Sequence, residues 1–106
     1  VDTLKRYAVE ILKKRYRPAQ MLLKEAAEIL DDRGQEREKD EGERTIPQLV
    51  TVFNALTGHN LSNEDGWTFM LLLKLVRMRG GVHKDDDYLD AIGYSALLAE
   101  EAIRNK

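Results

Sequence analysis

Asp87 and Asp90 stand three residues apart in a stretch with helical patterning, so both carboxylates project from one helix face, one turn from each other. That pairing suits a hard divalent cation such as Mg²⁺, which takes oxygen ligands and fills its shell with waters and substrate phosphates. An ion held there polarises a phosphoryl group and activates an attacking water. Earlier in the chain Lys74 and Arg77 repeat the same spacing with the opposite charge. Either can hold phosphate oxygens, arginine in bidentate fashion. The competing account makes the same four charges a structural ion-pair ladder, with Asp85, Asp86 and Asp87 also favoured by the positive end of a helix. Structural networks cluster titratable groups without any catalysis, and the residue types on their own favour the ladder.

Two helices joined at Gly80 and Gly81 must position these groups. The first is apolar on every side from Trp67 to Val76 except at Lys74, the pattern of a buried central helix. A buried ammonium needs a partner. With helix ends near Arg79 and Asp86, Lys74 lies level with Ala91 and Arg77 with Tyr88, so the Lys-x-x-Arg ladder meets the Asp-x-x-Asp ladder and Tyr94 extends that face by a turn. Glu64 lies roughly 22 Å from the turn at the helical rise and belongs to another part of the molecule.

The remaining segments are also helical. Residues 3–16 place Leu4, Ala8, Ile11 and Leu12 at helical spacing opposite lysines and arginines, an amphipathic basic helix that packs on the domain, on another subunit or on a recruited partner. Pro18 restarts the pattern, and Met21 offers a translation start that would make residues 1–20 an extension. A helix over 19–33 carries Leu22, Leu23, Ala26, Ile29 and Leu30, with Gly34 as its stop. The polar stretch 31–44 alternates Arg33, Arg37 and Arg44 with Glu36, Asp40 and Glu43, which fits a solvated loop and also one that orders around a phosphate or a metal. Thr45 and Pro47 open a third helix with Ile46, Leu49, Val50, Phe53 and Leu56 on its buried side, ended by Gly58. Ser62 and Asp65 form a capping box for the central helix. The last helix, to about Ile103, is thin at Ala91, Gly93, Ser95 and Ala96, so a neighbour can approach closely. No strand alternation or internal repeat appears. The expected architecture is all-α: a compact bundle of four core helices over 21–106, plus the N-terminal amphipathic helix of 1–20.

Composition narrows the function. The 106 residues, 34% charged and without cysteine, suit one domain with no disulfide or thiolate metal site. Residues 1–20 carry a net +4 and the rest a net −6, which disfavours nonspecific nucleic-acid binding by the main body. No apolar run approaches a membrane span, so no membrane role is expected. Phosphate-binding glycine loops, G-x-S-x-G and H-E-x-x-H are missing, and His59 and His83 sit in turns beside glycine.

The stretch ILDDRGQEREKDEGERTI, then FNALTGHNLSNEDGWTFMLLLKLVR and DDDYLDAIGYSALLAEEA, resembles a family of small phage and prophage proteins over about residues 21–103. More distantly it is similar to the MazG-like all-α nucleoside triphosphate pyrophosphohydrolases. That resemblance implies a MazG-like fold, a homo-oligomer in the cytoplasm of a bacterial host, and Mg²⁺-dependent cleavage of a bound nucleotide to monophosphate and pyrophosphate. The E-x-x-D metal motif of that superfamily has its counterpart in Asp87-x-x-Asp90. Its E-E-x-x-E motif does not: Leu71, Leu72, Leu73, Lys74 and Arg77 stand there. Carried over, Asp87 and Asp90 are metal ligands with Asp40, and Glu36 joins them in catalysis. Lys74, Arg77, Arg33 and Arg37 contact phosphate, and the 35–44 loop closes over the substrate. The alternative is a module that binds a nucleotide or a protein partner without catalysis.

Overall fold

The computed structural model describes residues 2–37 and 45–106, with side chains for all of these except 10–15, 36 and 37. Five helices account for the described chain: α1 (Asp2–Arg15), α2 (Ala19–Arg37), α3 (Thr45–Thr57), α4 (Asn63–Gly80) and α5 (Asp85–Arg104). No strand occurs among the described residues, so the all-α expectation holds.

α4 and α5 form the antiparallel hairpin that the glycine turn requires. α4 starts with the capping box the sequence announces: the Asp65 backbone N–H donates to Ser62 Oγ at 3.1 Å, and the Ser62 N–H donates to the Asp65 carboxylate at 2.8 Å. α2 packs on the other side of α5, and α3 packs on α4. The α3 contact depends on Gly66. A Cβ there would lie 2.6 Å from Val50 Cγ2 and 2.7 Å from Ile46 Cγ2, so only glycine lets the two helices meet at this distance. At Gly58, φ is +76°, the left-handed geometry of a helix stop.

Three expectations are corrected. α2 runs through Gly34 to Arg37, because contact with α5 at Arg33 carries the helix past a glycine that local propensity would use as a stop. The central helix is buried on one side only: Trp67 is 2% exposed, whereas Phe69, Leu72, Leu75 and Val76 all face outward. On α3 only Ile46 and Val50 are buried, while Leu49 and Leu56 are exposed and the half-exposed Phe53 stacks on His59, because α4 is the one helix packed against α3 among those described. The chain as a whole is extended. Its radius of gyration is 17.8 Å, against about 13 Å for a close-packed chain of this length. α1 contributes to that extension, since it packs on none of the other described helices.

Candidate functional site

Asp87 is buried near the start of α5 and Asp90 lies one turn further on. Across from them on α4, Lys74 Nζ is 2.9 Å from Asp90 Oδ2 and 3.9 Å from Asp87 Oδ1. From α2, Arg33 Nη2 donates to Asp90 Oδ1 at 3.2 Å. Both oxygens of Asp90 are thus engaged by cations, and the Lys74 and Arg33 side chains that carry them tie α4 and α2 to α5. The Lys74 and Asp90 side chains are only 12% and 11% exposed, so solvent screens their attraction little.

The sequence brings Lys74, Asp87 and Asp90 together as the level argument requires. Arg77 does not join them. It is exposed, and its expected place opposite the aspartates is taken by Arg33. Tyr94 packs against Trp67, their rings 6.1 Å apart, and also lines the narrow gap beside Arg33 and Asp90. The side chains of Glu36 and Arg37, and the whole of Asp40, lie outside the described residues. Among the described residues no three carboxylates or imidazoles gather to hold a metal ion. The Lys74 ammonium stands against the Asp87–Asp90 pair where a divalent cation would have to sit, so the described donor set does not fit Mg²⁺.

Space around the charges is uneven. On the Arg33 side, Ala26, Leu30, Leu89 and Gly93 close in, and the gap holds only about 10 Å³. Gly93 helps, since a Cβ there would already touch Leu30 at 3.6 Å. On the opposite side, by the α4–α5 turn, a solvent-facing cavity of about 730 Å³ is lined by Val76, Arg77, Gly80, Gly81, Val82, Lys84 and Asp87. Among the described residues neither Arg77 nor Lys84 pairs with a carboxylate. A second cavity, about 390 Å³, lies at the far end among Pro47, Thr51, Asn63, Trp67, Glu101 and Arg104. There Glu64 accepts from Asn105 Nδ2 at 3.0 Å, which confirms that it serves a different region from Asp90.

A further ionic clasp escaped sequence reading. Arg17, between α1 and α2, is paired with Glu25 on α2 and donates to Asp85 Oδ2 at 2.6 Å. Its hydrogen bond to Glu25 holds its pKa above the ordinary arginine value. Asp85 also bonds His83 Nε2 at 2.7 Å. That hydrogen bond first, with Arg17 behind it, lowers the Asp85 carboxyl below its usual range. A separation of 68 residues leaves no spacing signal by which Arg17 and Asp85 announce each other.

Fold and site together define an all-helical domain whose three central helices are tied by a self-neutralised set of four charges, with Asp87 buried and Arg33 at the solvent edge. The chain belongs to the family described as a domain of unknown function, DUF6378, whose profile matches residues 21–102. No curated protein and no solved structure matches it. No described helix is long and apolar enough to cross a membrane.

Proposed function

We propose that the protein binds a nucleotide at the α4–α5 turn and holds it without cleaving it. The observation that carries this reading is the Lys74 ammonium 2.9 Å from Asp90: the carboxylates that would recruit a metal are neutralised from within. What the turn offers instead is a cavity in the size range of small-molecule sites, with Arg77 and Lys84 available for phosphate and Val76 and Val82 as apolar walls. Calorimetric titration with a panel of NTPs and dNTPs tests it. Binding indifferent to Mg²⁺ is expected, weakened about tenfold in Arg77→Ala or Lys84→Ala, with intact nucleotide recovered by phosphorus NMR. No binding across the panel would refute it.

The second reading is the MazG-like, Mg²⁺-dependent pyrophosphohydrolase of a phage or prophage acting in the bacterial cytoplasm. The position of Asp87 favours it, because at 3.9 Å from Lys74 this carboxylate is the less committed of the two. Release of monophosphate and pyrophosphate, dependent on metal and lost in Asp90→Asn, would replace the first reading with this one.

A further inference from the structure

The outer face of α4 carries a pattern that the charge network does not use and that touches the turn cavity only at Val76. Phe69, 73% exposed, with Leu72, Leu75 and Val76, forms an apolar stripe on the side turned away from α5. Asp65 bounds it at one end and Arg79 at the other, and both are exposed. Asp65, Leu72 and Arg79 follow each other at seven-residue intervals, with Phe69 and Val76 between them, which is the repeat of a helix–helix seam. The stripe is also symmetric about Leu72: Phe69 and Leu75 lie three residues to either side of it, Asp65 and Arg79 seven.

We propose that a second copy of this chain covers the stripe, the two α4 helices packing antiparallel across a two-fold axis at Leu72. Leu72 then meets its own counterpart, Phe69 of each copy meets Leu75 of the other, and Asp65 faces Arg79 at both ends. This is the self-complementarity that a two-fold interface demands. The charges are free to take part. Among the described residues Arg79 is in no ion pair, and the capping box engages only one oxygen of Asp65. On α3, Leu49, Val52 and Leu56 are exposed as well.

The area agrees. The chain exposes 8515 Å², whereas a close-packed monomer of 12.2 kDa exposes about 6,100 Å². The surplus, about 2,400 Å², is shared between α1, which packs on no other described helix, and the exposed apolar faces of α3 and α4. The interface meets the proposed nucleotide cavity at Val76 alone, and its test reads association of two chains, not ligand binding.

Sedimentation equilibrium of the full chain is the test, and the dimer mass, about twice 12.2 kDa, is expected. The chain has no cysteine, so single introduced thiols report the geometry cleanly. Leu72→Cys should link the two copies through a disulfide on mild oxidation, while Leu4→Cys on α1 should not. Leu72→Asp, at a half-exposed site, should keep its helical circular dichroism and weaken the dimer by about a hundredfold. A monomer at high micromolar concentration, an assembly other than a dimer, or a dimer that links at residue 4 and not at residue 72 would overturn the proposal. Should Leu72→Asp unfold, the cross-linking result decides on its own.

Discussion

Replacing Lys74 by methionine removes one charge from the network and keeps all but the last atom of the side chain's length. At an effective dielectric of about 20, the Lys74–Asp90 attraction at 2.9 Å is about 6 kcal/mol gross and the Lys74–Asp87 attraction at 3.9 Å about 4. Desolvation offsets much of both. Breaking a buried pair by deleting one partner nonetheless costs about 3–5 kcal/mol, because the other charge is left without compensation. Here Asp90 keeps Arg33 at 3.2 Å, a gross attraction of about 5 kcal/mol, so the deficit falls mainly on Asp87. The net loss for Lys74→Met should therefore lie at about 2–3 kcal/mol, a fall in Tm of about 10–20 °C. Arg33→Ala, whose side chain is 37% exposed, should cost about 1 kcal/mol. Thermal and urea unfolding by circular dichroism, at one fixed protein concentration, measures each. A cycle adding Asp90→Asn should show about 1–3 kcal/mol of coupling with Lys74→Met. A loss below about 0.5 kcal/mol, or strict additivity in the cycle, would refute the claim that this cluster holds three helices together.

Two further perturbations address other joints. Gly66→Ala drives a methyl group to within 2.6–2.7 Å of Val50 and Ile46, and should cost about 1–3 kcal/mol in urea unfolding despite the better helix propensity of alanine; a neutral result would mean α3 is not seated there. Asp85 titrates below its ordinary value when folded, so its contribution is complete above its unfolded pKa, near pH 4, and is lost as pH falls through the lowered folded value. Asp85→Asn should therefore destabilise at pH 7 and become silent at strongly acid pH, and an equal effect at both would contradict the Arg17–Asp85–His83 arrangement.

How much of this was legible in the sequence follows from the range of each interaction. The Ser62–Asp65 box lies within one turn, and Lys74 is joined to Asp87 and Asp90 through a single tight connection, so spacing alone predicts both. Arg33 reaches Asp90 across 57 residues and a different helix, and nothing local encodes that pairing. The sequence shows the charge of Arg33 and gives no sign of this partner. The miss at Arg77 has a simpler cause: the Lys74 stem is long enough to serve both aspartates, which leaves Arg77 at the rim of the turn cavity. For Leu49, Leu56, Phe69 and Val76 the error is of another kind. Periodicity shows which side of a helix avoids water, but it is blind to whether the cover comes from the same chain.

The position of Arg17 bears on where the folding unit ends. The matched family stretch starts at residue 21, and Met21 invites the same division. Yet the guanidinium that joins the start of α2 to the start of α5 belongs to residue 17, on the far side of that line. A chain begun at Met21 gives up more than a detached helix. It leaves Glu25 without its cation, leaves Asp85 to His83 alone, and loosens α2 and α5 at the end opposite Arg33. The similarity boundary and the mechanical boundary of this protein therefore differ by four residues, and the strut that closes the seam lies in the part that similarity leaves out.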